Sequence, residues 1–511
     1  MKSVLVISSD VASSPVGAGP ARLLWPRLGI EPIVASTVNY GRHPGWGAPG
    51  GGATPNVRLE SLLDALEAQG VYARLDGVLT GYFANAPQVG IAAKAIRTIK
   101  AANPQAPIWV DPIMGDAETG LYVNLAVARA ICAELLPLAD VITPNAWELG
   151  WITQNGGPEG GPLPPEAVDR PCLVSSVAQG ERTGALWRTD AGAWLTDHPV
   201  RHRPPRGVGD LLTALMLAEA LNGARPSHAL GRSVAGVLAA IDAALEGRSP
   251  ELPLIAAQDA ILNPEPLVCR RLAPAEETWV AGLDGRPGGW VMALREVGGR
   301  APPRLRLIET VTEALDAPEA PLVIGVDMPI AFPDIPEPGG RACERAARAA
   351  LGPRKSSVFP APCREALQLE DYAQAMAVNR AKGGPGLTKQ AFNIFPKMRE
   401  LDVLMTPDLQ ARVREVHPEL AFTVLAGAPM AHPKRTPEGR AERLAILEAA
   451  GWPRDALDPS PFARTEAAGD DVLDACVVAC SAQRIWADAH TVWPEGAVPL
   501  DPRGLRMEIV A

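Results

Sequence analysis

The sequence predicts two consecutive α/β domains, a doubly wound and mostly parallel sheet followed by a second α/β domain in which strands precede helices. Three observations carry this reading. Short apolar runs alternate with helix-period stretches through the first half, as in a parallel sheet covered by helices on both faces. A Pro-rich composition break falls at Asn263-Pro264-Glu265-Pro266 and runs through Arg270 to Pro274. The chain of 511 residues is also too long for one ordinary core, at about 150 residues per domain. The boundaries expected are a first domain over 1–262, a linker over 263–277 and a second domain over 278–511.

In chain order, strands are expected at Val4 to Ser8, Ile33 to Thr37, Gly77 to Gly81, Pro107 to Asp111, Val141 to Thr143 and Cys172 to Ser176. Leu59 to Gln69 and Val89 to Ala102 repeat apolar residues at three- and four-residue steps, the period of a half-buried helix. Gly156 to Pro165 is rich in Gly and Pro and reads as a surface loop. Beyond the linker, Trp279 to Leu283, Trp290 to Arg295 and Leu305 to Thr310 read as consecutive strands. The strand Leu322 to Asp327 follows, then mostly helices, ending in a long one from Asp470 to Ala487.

Composition excludes several classes. With 47% hydrophobic and 21% charged residues, the chain has ample material for a packed core. A net charge of -10 argues against coating nucleic acid through the overall field. The 7 cysteines form no Cys-x-x-Cys pair, so reduced buried thiols are expected rather than a disulfide framework or zinc site. No apolar run reaches the length of a membrane span, and the N-terminus opens on a strand rather than a leader. The expectation is therefore a cytoplasmic protein.

The strongest local signal is Arg206-Gly207-Val208-Gly209-Asp210, a glycine-rich turn that opens into an amphipathic helix. Free amides at a helix N-terminus attract anions such as a transferring phosphoryl group, and Asp210 would accept a proton from a substrate hydroxyl beside it. An aspartate capping an ordinary helix explains the same residues equally well when they are taken alone. Asp111-Pro112-Ile113-Met114-Gly115-Asp116 and Thr143-Pro144-Asn145-Ala146-Trp147-Glu148 each follow a strand, placing carboxylates at the edge where open α/β sheets bind ligands. Hard oxygens there suit Mg²⁺.

Together and in this order these segments resemble the ribokinase superfamily, and within it the pyridoxal kinases, over about the first 262 residues, to a closing strand at Ala256 to Asp259. The resemblance implies a ribokinase-like fold and ATP-dependent phosphorylation of the 5′-hydroxyl of pyridoxal or a related B6 vitamer. Asp210 would be the base, with Gly207, Val208 and Gly209 supplying amides. Asp111 and Glu148 would organise Mg²⁺ and ATP, with Asn145 and Ser176 on the nucleotide side. Ser9, Thr37, His43 and Tyr82 would line the vitamin pocket, and a homodimer would go with the family. Where the family begins Ser-His-Val and continues with a glycine and an asparagine, this chain reads Ser9-Asp10-Val11-Ala12-Ser13. Two alternatives accordingly stand beside the kinase: a ligand-sensing pseudokinase, and a kinase for another alcohol such as hydroxymethylpyrimidine or a sugar.

In the second half, Leu283-Asp284 and Val326-Asp327 each end a strand with an aspartate, and Asp470-Asp471-Val472-Leu473-Asp474 opens the last helix. Residues 470 and 474, four apart, share one helical face. Carboxylates brought together repel unless a divalent ion neutralises them. Asp284, Asp327, Asp471 and Asp474 are thus candidate Mg²⁺ or Mn²⁺ ligands for phosphodiester cleavage, against the plainer readings of turns and helix capping. Glu415 and His417 would complete or support that site, or simply end a strand. Arg354, Lys355, Lys389, Lys397, Lys434 and Arg435 would grip a nucleic acid or form a solvated face. From Thr278 to Ala511 the chain resembles a family of uncharacterised proteins expected to have an RNase H-like nuclease fold. Asp471-x-x-Asp474 also looks like the acidic helix of RuvC-type resolvases.

Overall fold

In the computed structural model the chain forms two compact units, Met1–Leu272 and Ala273–Ala511. The structure describes residues 1–157, 161, 169–274, 277–458, 462 and 469–511. Most of the expected Gly156–Pro165 loop lies outside these residues.

The first unit is built on one sheet. Its strands are β1 (Lys2–Val11), β2 (Ile30–Tyr40), β3 (Gly51–Ala53), β4 (Gly77–Thr80), β5 (Ile108–Val110), β8 (Val141–Ile142), β9 (Cys172–Gln179), β10 (Arg182–Thr189), β11 (Gly192–Pro199) and β12 (Arg270–Arg271), while β6 (Gly115–Asp116) and β7 (Gly120–Leu121) form a separate hairpin. The order is β12-β11-β10-β9-β8-β5-β4-β1-β2-β3. Strands β2, β1, β4, β5, β8 and β9 run parallel, and antiparallel strands extend both edges.

The period of two along each strand sorts its side chains between two cores. Leu5, Ile7, Val78, Ile108 and Val110 face Leu59 and Leu63 of the helix Asn56–Ala68 and Val89, Ile96 and Ile99 of Ala86–Ala102. Val4, Val6, Leu79 and Trp109 face Val208–Leu221 and Pro226–Glu246. The helix Pro226–Glu246 is, by length and composition alone, long and apolar enough to cross a membrane. Its Leu230, Val234, Val237 and Ile241 are spent on the sheet.

Two further expectations are corrected. Residues 256–259 are not a strand, because Gln258–Leu262 is a helix that buries Ile261 and Leu262. The expected linker over 263–277 is largely part of the first unit. Arg270 and Arg271 pair with Leu195 and Trp194, the Arg271 guanidinium lies over the Trp194 ring, and the Val268 carbonyl accepts from Thr196.

The second unit has a five-stranded sheet of β13 (Trp279–Arg286), β14 (Gly289–Glu296), β15 (Arg304–Ile308), β16 (Val323–Val326) and β17 (Val413–Glu415), ordered β15-β14-β13-β16-β17. The first three are antiparallel, and β16 and β17 run parallel to β13. The long helix Gly469–Trp486 packs Val472, Ala475 and Val478 against Val280, Val291 and Val323. Two glycines allow a close approach. A Cβ on Gly282 would lie 2.2 Å from the Ala475 carbonyl oxygen, and one on Gly325 would lie 2.8 Å from Val478.

Candidate active site

The parallel strands of the first unit end together, so the loops after β1, β5 and β8 converge with the turn before Val208–Leu221. Gly207 has φ +86°, a left-handed conformation, and its α-carbon faces Val16 so closely that a Cβ would stand 2.9 Å away. No side chain caps the helix it opens, which leaves the amides at Val208 to Asp210 available to an anion. Asp210 accepts a hydrogen bond from the Gly17 amide, yet burial pushes its carboxyl up to about 6.

Asp111 follows β5 and is buried. Burial first, then the charges of Glu148 and Asp210, hold its carboxyl well above the usual carboxylate range, against hydrogen bonds with Thr143 and Thr213. The Thr213 hydroxyl lies 3.4 Å from Asp111 Oδ2 and 3.1 Å from Thr143 Oγ1. Glu148 forms a capping box with Asn145. Its Oε1 accepts from the Met114 and Gly115 amides at 2.8 and 3.3 Å, and its Oε2 from the Asn145 amide at 2.9 Å. Even so, burial pushes Glu148 up to about 7. Asn145 Nδ2 donates to the Gly115 carbonyl at 2.8 Å, tying the helix start to the β6–β7 hairpin. Tyr122, just after that hairpin, has its phenol pushed up by burial and by the charges of Glu148, Asp111, Asp210 and Asp116.

Sequence reasoning misses Thr213, Thr143, Tyr122 and the Gly17 amide, although Thr213 lies three residues beyond Asp210 on the same helical face. Among the expected pocket residues, Ser9 is buried and its carbonyl accepts from Ala18. Thr37 is fully buried and spends its hydroxyl on the Tyr82 carbonyl at 2.6 Å, so it braces the strand ends rather than offering a donor to a ligand. Tyr82 is hydrogen-bonded through its side chain to Tyr40. His43 Nδ1 accepts from the Gly45 amide at 3.0 Å; burial and the nearby Arg206 lower its pKa, while Glu251 opposes them. Ser176 is exposed with φ 57° at the β9 edge, beside the Asn145–Ser175 bridge.

In the second unit, Asp284 near the end of β13 and Asp327 just beyond β16 come together on neighbouring strands. Burial, then the charges of Asp327 and Asp474, raise Asp284 well above the usual range, and Asp471 adds to this. Asp474 is pushed up to about 6 by burial, against the ammonium of Lys434. Lys434 Nζ lies 2.6 Å from Asp474 Oδ2 and 3.8 Å from Asp470 Oδ2. A cleft of about 660 Å³ opens here, lined by Lys434, Arg435 and Arg440 together with Asp470, Asp471 and Asp474.

Among the described residues, no group of three or more His, Cys, Asp or Glu is arranged to hold a metal ion. For Asp111 and Glu148 this is compatible with Mg²⁺, which keeps several waters and bridges to phosphates. The Glu148 oxygens are already spent on amides, so that residue would act through water. Asp284, Asp327, Asp471 and Asp474 are brought together as expected, with the Lys434 ammonium offsetting part of their charge at Asp474. Glu415 stands apart from them: its carboxylate is taken by the buried Arg341 at 2.6 and 2.9 Å and by the Ile330 amide. His417 Nε2 meets the Ser357 carbonyl at 3.3 Å. Of the expected basic residues, Lys397 sits 4.4 Å from the Trp290 ring centroid, Arg354 donates to the Met430 carbonyl, and Lys355 and Lys389 are exposed.

Comparison with known proteins separates the two units in the same way. The chain is 31% identical over 274 residues to pyridoxal kinase PdxY of Corynebacterium diphtheriae, covering 51% of this chain and 96% of that protein. It is 34% identical over 280 residues to pyridoxal kinase PdxY of Burkholderia orbicola, covering 52% and 96%. Among solved structures, pyridoxal kinase from Leishmania donovani in complex with ADP and pyridoxamine aligns with a TM-score of 0.48 at 23% identity, covering 53% of this chain and 100% of that one. Residues 282–498 match a family described as a protein of unknown function, DUF429.

Proposed function

The chain belongs, through its first half, to the pyridoxal kinase family, and from that premise we propose that this half transfers the γ-phosphoryl group of ATP to the 5′-hydroxyl of pyridoxal or a related B6 vitamer. The observation that carries the reading is the uncapped helix start at Gly207 with Asp210 in its first turn, facing the Asp111 and Glu148 carboxylates. Asp210 accepts the proton of the attacking hydroxyl, and the amides at 208–210 hold the phosphoryl oxygens. Asp111, and Glu148 through water, would hold Mg²⁺, which when bound neutralises phosphate charge. Thr213 and Thr143 fix the Asp111 carboxyl. A cytoplasmic location, where ATP is supplied, goes with this reading.

Turnover of pyridoxal with Mg²⁺ and ATP tests it. Asp210→Asn is expected to lower kcat on the order of 10²- to 10⁴-fold without unfolding the chain. Unchanged turnover would remove Asp210 from the chemistry. Binding of the vitamer with no turnover in the unaltered chain would favour a sensor, and preference for hydroxymethylpyrimidine in a substrate panel would reassign the alcohol.

For the second unit the reading is an RNase H-like acidic centre acting on a phosphodiester of nucleic acid. The β15-β14-β13-β16-β17 order, with Asp284 near the end of β13 and Asp327 just after β16 beside an acidic helix, supports it. So does the basic rim of the cleft.

A further inference from the structure

Two loops border the site of the first unit, and both end on the side chain of Glu251. From the loop after β1, the Ser14 hydroxyl donates to Glu251 Oε2 at 2.5 Å. From the loop after β2, Trp46 Nε1 donates to Glu251 Oε1 at 2.7 Å. The two loops also meet each other, Ser13 donating to the Gly41 carbonyl. Both partners of Glu251 are donors, and a carboxylate is the side chain that offers two acceptors to two separate donors at once.

The carboxylate stands on a fixed post. Its backbone is pinned by reciprocal bonds with the Ser249 hydroxyl, and Leu252 and Leu254, just beyond it, are in the core. The loop over 41–50 is by contrast mostly exposed, and its other bonds are largely local, from the Gly41 and Arg42 amides to the Pro49 carbonyl and from Arg42 to Ala48. The loop after β1 touches the catalytic turn, Gly17 donating to Asp210 and Val16 lying against Gly207, and His43 of the second loop lies within the field of Arg206 beside it.

We propose that Glu251 is a positioning residue for the kinase reaction, a single fixed carboxylate that holds both loops down so that closing the alcohol pocket and presenting the hydroxyl to Asp210 become one event. The proposal rests on the kinase reading of this unit. Losing the latch costs the closed conformation, and a binding-competent state populated less often weakens apparent affinity in proportion.

The test uses the full chain. In Glu251→Ala the KM for the alcohol is expected to rise about tenfold, while the KM for ATP stays within about twofold and kcat falls less than about threefold. Glu251→Gln, which keeps one acceptor, should fall between. Adding Trp46→Phe or Ser14→Ala to Glu251→Ala should cost no more than Glu251→Ala alone, because both bonds are already lost. Amide hydrogen exchange over 12–17 and 41–50 should speed up in Glu251→Ala. Additive double variants, an unchanged alcohol KM, or a loss confined to kcat would each overturn the latch. If the unaltered chain phosphorylates no alcohol, the kinase reading fails by itself. The hydrogen exchange then decides the latch alone, and unchanged exchange in both segments would overturn it.

Discussion

Asp210 holds its proton up to about pH 6, and two opposite consequences follow. As a base it must be ionised, so kcat/KM for the alcohol should fall about tenfold per unit as pH drops below about 6. For stability the sign reverses. The fold favours the protonated carboxyl, so the contribution is full below the unfolded value near 3.8 and is lost as pH rises through about 6. Asp210→Asn should therefore raise the melting temperature at pH 8 and leave it unchanged at pH 3, readable by calorimetry across pH. Asp210, Asp111 and Asn145-x-x-Glu148 were legible in the sequence because each motif is local, a few residues around one turn. Glu251 was not, since its partners lie 237 and 205 residues away and only the fold brings them together. Thr37 was legible as a strand-end residue but not as a buried one whose hydroxyl is already engaged.

At the scale of elements, alternation along a strand decides which aspartate meets which helix. Val280, Gly282 and Asp284 share one face of β13, and Val323, Gly325 and Asp327 share the same face of β16. The valines meet the helix Gly469–Trp486, the glycines admit its backbone, and the aspartates emerge beside Asp471 and Asp474. Gly282→Ala should force the helix off the sheet and destabilise the second unit by about 1–3 kcal/mol in denaturant unfolding, while leaving the kinase site intact. The strand periods here were legible before any coordinates. The stretch Ala256 to Asp259 was not, because its short apolar start fits a strand or the approach to a helix equally, and burial of Ile261 and Leu262 decided it. Lys434 was legible as a basic residue but not as the partner of Asp474, which lies forty residues away.

For the whole molecule, two units with separate cores imply separable chemistry. Asp210→Asn should slow vitamer phosphorylation on the order of 10²- to 10⁴-fold and leave any cleavage of labelled DNA or RNA unchanged. Asp474→Asn should do the reverse, assayed with and without Mg²⁺ or Mn²⁺. Loss of both activities in either variant would contradict their independence. The two-part organisation was legible from the composition break. The boundary was not placed at Leu272, because a two-residue strand such as Arg270–Arg271 carries no periodicity of its own and is recognisable only once it pairs with its neighbour. At the opposite end of the same sheet, β3 is three residues long, fully exposed and begins with two glycines. A ribbon that short offers an incoming chain almost no ladder to zip onto and no apolar face to wet, so the ten-strand array stops there by its own construction and resists growing into a fibril from its open margin.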